Sequence, residues 1–403
     1  MPERYAILRD IAREPLSGPL SGSLDGPFGM ESRAPPHPAP VIEEAELSAR
    51  DLRDVARETG VAAIAPDMEI APIAPLESEG EPADAGASPG MAWGIEAVLA
   101  HQSPWTGRGV RVAVIDSGID AAHPAFAGIT LVQQDFSGSG DGDASGHGTH
   151  CAGTIFGRDV DGTRIGVARG VERALVARVF GDRGGGSSLA LYQAMQWAAE
   201  NRANILSMSL GYNFVGMAAR LEARGLPRPA AVSTAMSALA ANLRFFDRLI
   251  AMLRASQFMG IDTLVVAASG NDSQRPVFEV TAALPSAAEG VVSVGAVGPL
   301  GGGRHPVAPF SNSNPNLVAP GVDVLSARAG GGGLVAKSGT SMATPHVAGV
   351  AALWWEAIAA TAPGLPVAPR VADRLRAGAR RHLLGGPDDP GDYGEGLVTA
   401  PLA

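Results

Sequence analysis

Val110-Arg111-Val112-Ala113-Val114-Ile115-Asp116-Ser117-Gly118-Ile119-Asp120 is the stretch on which the fold turns. A β-branched apolar run without polar alternation reads as a strand buried on both faces. Such strands belong to parallel sheets covered by helices. The run ends in an acid followed by Ser-Gly, at the strand edge where open α/β sheets bind their ligands. Asp116 therefore stands where a functional carboxylate would, an Asp capping a turn being the plainer alternative. Further apolar runs at 175–180, 205–210, 264–268 and 291–297 alternate with helix-like segments. This alternation predicts an α/β fold, a doubly wound parallel sheet flanked by helices.

Two other stretches carry chemistry. Gly339-Thr340-Ser341-Met342-Ala343-Thr344-Pro345-His346 precedes an apolar, helix-like run. It puts Ser341 at a helix start, with an exposed hydroxyl and an unpaired backbone N–H. That suits a nucleophile whose reaction creates an oxyanion beside it, although a Ser there is also an ordinary cap. In Gly146-His147-Gly148-Thr149-His150-Cys151-Ala152-Gly153-Thr154, flanking glycines let other backbone approach His147 closely. His147 and His150 could open a metal site, but no third ligand follows at usable spacing, so metal ligands are expected to be none. His150 reads as a buried structural residue.

Asp, His, Ser is one of the known chain orders of a serine triad. Asp-Ser-Gly-Ile-Asp, His-Gly-Thr-His-Cys-Ala-Gly-Thr and Gly-Thr-Ser-Met-Ala-Thr-Pro-His resemble, together and in order, the active-site motifs of the subtilisin-like serine proteases. Cys151 after the His motif resembles the proteinase K and thermitase type. The resemblance implies a subtilisin-like serine endopeptidase, a hydrolase working through Asp116, His147, Ser341 and an acyl-enzyme, made as an autoprocessed zymogen. In Leu264-Val265-Val266-Ala267-Ala268-Ser269-Gly270-Asn271, it gives Asn271 to the oxyanion hole and Ala268, Ser269 and Gly270 to substrate binding. Ser209, Leu210 and Gly211 would pair with substrate backbone, Gly184, Gly185 and Gly186 would form the facing edge, and Leu191 would line the pocket for the fourth residue before the cut.

The residue types explain the chemistry. A serine hydroxyl needs an adjacent base at neutral pH, and an imidazole has the matching pKa. An acid on the other ring nitrogen fixes the tautomer and stabilises the imidazolium. Asp141 and Asp143, just before His147, could favour basic residues near the cleaved bond or form a solvated acidic turn.

The chain has 403 residues, 46% hydrophobic and 18% charged, with a net charge of -10. This fits a globular protein with a large core and no nucleic acid as partner, while the resemblance implies a polypeptide as substrate. Cys151 is the single cysteine, so no intrachain disulfide can form. Neither a membrane span nor a signal peptide is legible, giving an expectation of no membrane partner and a cytoplasmic or non-classically exported enzyme, secreted if the true start lies upstream.

Residues 1–76 read as a propeptide-like α+β region acting as intramolecular inhibitor and chaperone, with a short strand at 5–8, a Gly/Pro-rich loop, a helix over 45–58 capped by Ser48, and strands over 61–72 broken at Pro66. The alternative is an extension packed on the sheet. Residues 77–90 read as a linker and 91–403 as the catalytic domain, with a helical insertion within 212–260. No cofactor is needed for the chemistry. A structural calcium is possible, but the family's usual strong site looks degraded: Ala125 replaces an expected Asp, and the loop carrying Asp159 and Asp161 also carries Arg158 and Arg164. Alternatives to a general endopeptidase are a dedicated processing protease and a non-catalytic scaffold on the same fold.

Overall fold

The computed structural model describes residues 3–10, 40–76, 89–255, 262–299, 304–362, 367–386 and 389–402. Residues 77–88, most of the expected linker, and 256–260, the end of the expected insertion, lie outside them. The chain begins with β1 (Glu3–Arg9), β2 (Val41–Leu47), α1 (Ala49–Val55), β3 (Val61–Pro66) and β4 (Glu69–Pro72). The strands β2-β1-β3 form an antiparallel sheet. Ser48 caps α1, and Asp51 bonds back to the Ser48 N–H in a capping box. The helix expected over 45–58 is thus shorter at both ends, and residues 45–47 belong to β2, where Leu47 is buried.

The short helix α2 (Trp93–Ala97) leads into β5 (Arg111–Asp116), β6 (Thr130–Asp135), α3 (His147–Phe156) and β7 (Arg173–Arg178). Next come β8 (Gly186–Ser187), α4 (Ser188–Glu200), β9 (Ile205–Met208), β10 (Leu210–Tyr212), α5 (Phe214–Ala223) and α6 (Arg228–Ala255). The chain continues through β11 (Leu264–Ala268), β12 (Val291–Val297), β13 (His305–Pro306), β14 (Leu317–Pro320), β15 (Val324–Ala327), β16 (Leu334–Lys337), α7 (Thr340–Thr361) and α8 (Ala368–Ala377). Seven strands form one parallel sheet in the order β14-β12-β11-β9-β5-β7-β6.

The period of two explains why these strands are apolar throughout. Val112 and Val114 of β5 face a core shared with α3 and α7, whereas Ala113 and Ile115 face a second core shared with α4 and α6. In β11 the same split separates Val266 from Val265 and Ala267. The N-terminal sheet merges with the second core through Ala6, Leu8 and Ala65. Strand order reverses beside β5, so Asp116 lies at a topological switch point.

The two helices that carry motif residues each bury a neutral histidine. His150 Nε2 lies 2.9 Å from Val324 O, and burial, then the charge of Lys337, pushes its imidazole down to about 3. His346 Nδ1 lies 2.9 Å from Met342 O, and burial pushes it down to about 4. The unfolded chain takes up both protons below about pH 6.5, while the folded chain refuses them. Stability is therefore complete above that pH and falls on acidification, by up to about 1.4 kcal/mol per pH unit for each histidine. Urea midpoints measured from pH 7 to 4.5 are expected to decline steadily, and a flat profile would contradict this assignment.

Candidate active site

Asp116 and His147 meet because a glycine lets a strand end and a helix start touch. A Cβ on Gly148 would lie 2.2 Å from Gly118 O. The absence of that atom brings α3 against the end of β5, where His147 Nδ1 sits 2.7 Å from Asp116 Oδ1. The same oxygen accepts the Ser117 N–H at 2.7 Å. Both side chains are buried. His147 Nε2 has no hydrogen-bond partner among the described residues.

Asp143 organises this helix start. Its carboxylate accepts from the backbone N–H groups of Gly146 and Thr149 and from the hydroxyls of Thr149, Ser117 and Ser145. An anion there complements the α3 dipole. Asp143 is therefore occupied within the fold rather than turned to substrate, while Asp141 remains exposed.

Ser341 occupies the second position of α7, after Gly339, whose φ of 156° comes with tight surroundings: a Cβ would stand 2.9 Å from Asn271 Nδ2. Pro345 lies inside the helix and has no N–H to offer the carbonyl four residues back. That carbonyl belongs to Ser341. It is satisfied instead by Ser209 Oγ at 3.0 Å, with Cys151 Sγ at 3.4 Å. Cys151 is fully buried, and burial pushes its thiol well above the ordinary range. Asp116, His147 and Cys151 lie close enough for a metal, within 4.8 Å of one another. A protonated thiol is a poor ligand, however, and Asp116 already holds the imidazole.

Asn271 lies just past β11, beside Ser341. Its Oδ1 accepts from the Thr340 N–H at 2.9 Å and the Thr340 hydroxyl at 2.8 Å, which turns Nδ2 outward to donate to Ala74 O at 2.9 Å. The Ser341 hydroxyl donates to Ile73 O at 2.8 Å. Ile73 and Ala74 follow β4, so the N-terminal chain crosses this site.

β4 runs between β10 and β8, antiparallel to both. Leu210 and Gly211 oppose Pro72 and Ala71, and Ser209 O accepts the Ile73 N–H at 3.2 Å. On the other side, Gly186 opposes Ile70. Ile70 is fully buried in the core that contains Leu191. Past Ser341, Leu76 and Ser338 exchange two backbone hydrogen bonds, 2.8 and 3.3 Å. Ser209, Leu210, Gly211, Gly186 and Leu191 thus come together around one extended chain. Gly184 and Gly185 do not join this ladder; they close a turn on Gly181. Ala268 ends β11 inside the core, Ser269 O accepts from Ala283 N–H and Asn312 Nδ2, and the Gly270 N–H donates to Thr340 Oγ1 at 3.2 Å. The sequence reading missed Ser187, Ser338, Thr340, Asn312 and Asn213; only Thr340, inside a motif, offered a signal.

Calcium fits poorly at the loop where it was considered. Ala125 has no side-chain oxygen, and its carbonyl accepts the Arg158 N–H. The Arg158 guanidinium bonds Arg169 O and Val171 O, and that of Arg164 bonds Ala100 O, Gly166 O and Val167 O. Burial, then the charge of Arg169, pushes Arg164 down to about 10. Asp159 pairs with Arg169. These guanidinium groups put positive charge beside the loop and tie its backbone, which opposes a divalent cation there.

The sequence profile described as the Subtilase family matches residues 107–370, more than half of the chain. The chain is 32% identical over 369 residues to the thermostable alkaline protease of Halalkalibacterium halodurans, covering 90% of this chain and 82% of that protein. It is 34% identical over 255 residues to the intracellular serine protease of Paenibacillus polymyxa, covering 61% and 67%. It is 32% identical over 314 residues to subtilisin E of Bacillus subtilis, covering 77% and 69%.

Thr340→Val removes the hydroxyl that aims Asn271 while keeping the side-chain shape. The expected result is a roughly tenfold fall in kcat with KM little changed, the loss of one hydrogen bond's worth of transition-state support. Steady-state kinetics on a peptide substrate would check it.

Proposed function

The chain belongs to the subtilase family of serine endopeptidases, and from that premise we propose the role of each residue at the site. Ser341 Oγ attacks the carbonyl carbon of a peptide bond, and its proton passes to His147 Nε2. Asp116 holds the imidazole in the tautomer with Nδ1 protonated and stabilises the imidazolium. Asn271 Nδ2 and the Ser341 N–H hold the oxyanion. His147 then protonates the leaving amine, and a water deprotonated by His147 releases the acid from Ser341. Losing an Asn donor of this kind costs about 10²–10³-fold in kcat, a figure whose reference case is itself a subtilase. The observation that carries this reading is the buried 2.7 Å Asp116–His147 pair beside a serine hydroxyl that faces a peptide carbonyl.

The N-terminal region, residues 1–76, acts as the enzyme's own inhibitor, and 91–403 is the catalytic domain. The support is the path of β4 through the substrate groove. Its contacts are not those of a substrate under attack: Ser341 bonds Ile73 O while Asn271 bonds the next carbonyl, Ala74 O. In a productive complex both would address one carbonyl group. Cleavage in the stretch 77–90 would then release the active enzyme, and an extended polypeptide would take the place of β4 by strand addition.

A fluorophosphonate probe is expected to label the wild type and not Ser341→Ala, and the mutant is expected to stay at full-length mass while the wild type shortens. Equal labelling of both would refute the nucleophile, and an unlabelled wild type would favour a scaffold.

The Arg158–Arg164 cross-links replace calcium in holding their loop. Chelation with EDTA is expected to leave Tm unchanged, whereas Arg164→Met, which strands buried carbonyls, is expected to lower Tm by about 5 °C. Differential scanning calorimetry would separate these outcomes.

A further inference from the structure

The groove does not end at its catalytic side. Counting back from Ile73, whose carbonyl accepts from Ser341, the fourth residue upstream is Glu69, the first of β4. Its backbone is held on both sides: it opposes Ser187 of β8, and its carbonyl accepts the Asn213 N–H at 2.9 Å. Its side chain forms an ion pair with Arg220 Nη1.

Both partners from the far wall belong to the helical insertion. Asn213 caps α5, its Oδ1 accepting the Gly216 N–H at 2.9 Å, so the helix starts at the groove wall. Ala218 of α5 is buried, as are Ala231, Ala235 and Ala238 of α6; α5 packs along α6. Small side chains allow that close approach and fix where α5 points. The longer helix is anchored in turn by buried Asn242, whose Nδ2 donates to Pro66 O and whose Oδ1 accepts from Tyr192 Oη at 2.7 Å. Arg220 is therefore carried on a braced element, and it reaches a position where a side chain of the bound strand faces it.

We propose that Arg220 is a specificity-determining residue, selecting an acidic side chain four residues before the residue whose carbonyl faces Ser341, in substrates as in the protein's own β4. The insertion thereby extends the substrate groove by one position and gives it a charge preference. This rests on the reading that Ser341 hydrolyses peptides whose upstream residues pair with β8 and β10 in the register of β4, with the two carbonyl contacts at the cut brought onto one residue. The side chains of Arg220 and Glu69 are 46% and 37% exposed, so the selection is modest and screened by salt. It amounts to about two- to fivefold at low ionic strength.

The test uses protein purified from expression of the full chain and quenched fluorogenic peptides identical except for Glu, Gln or Arg at that position. A further peptide stops short of it. Wild type is expected to give kcat/KM in the order Glu, Gln, Arg, with the spread shrinking in 0.5 M salt; Arg220→Glu is expected to invert the order. The short peptide, which ends before that position, is the reference to which each protein's three rates are normalised. Equal rates for the three long peptides, or an order unchanged by Arg220→Glu, would overturn the proposal while leaving the role of Ser341 intact. Failure to hydrolyse any peptide would defeat the Ser341 reading, and this proposal with it.

Discussion

The hydrogen bond between Asp116 and His147 is the constraint around which the rest of the molecule is arranged. Burying a carboxylate is expensive unless its oxygens are engaged. Asp116 meets that demand at Oδ1, where the imidazole N–H and the Ser117 N–H converge at the end of a central strand; its Oδ2 has no partner among the described residues. The imidazole reaches it only because Gly148 removes a Cβ from the contact between α3 and β5. A second acid, Asp143, then binds the exposed N–H groups of the helix start and ties them to Ser117. One hydrogen bond, with Asp143 beside it, thus fixes a strand end against a helix start.

Ser341, the proposed nucleophile, depends on a similar economy. Pro345 denies Ser341 O its helical partner, and the hydroxyl of Ser209 fills the gap. Ser209 also presents its carbonyl to the chain in the groove. The residue that satisfies the backbone of the nucleophile is therefore one that aligns the peptide beside it. Thr340 performs the corresponding service for Asn271, occupying its oxygen so that its nitrogen points toward the groove. Positioning at this site comes from hydroxyls that complete backbone or amide bonding, so their loss acts on rate and, by stranding buried backbone groups, on stability as well.

Much of the centre was legible in the sequence. Parallel strands announced themselves as continuous apolar runs, because both faces of each strand are covered. Asp116, His147, Ser341 and Asn271 stood in motifs whose residue types the chemistry requires. The reading departs from the structure where burial or local backbone bonding overrode composition. Residues 45–47 looked helical by composition, yet pair with β1 because Leu47 is buried there. Gly184 and Gly185 looked like bare backbone for a substrate, yet close a turn, leaving Gly186 and Ser187 to pair. Asp143, read either as an acid near the cleaved bond or as part of a solvated acidic turn, anchors a helix start.

The amino-acid sequence by itself determined the family and the sheet, since these follow from local patterns of apolarity, glycine and side-chain chemistry, and it marked the residues proposed to react. Only the tertiary structure decided what surrounds them: that β4 lies in the groove, that two arginines hold the loop weighed for calcium, and that Arg220 faces Glu69. Each of these joins segments well separated in the chain or depends on the direction of a helix in space. Local pattern carries no information about such meetings, because they are set by how whole elements pack.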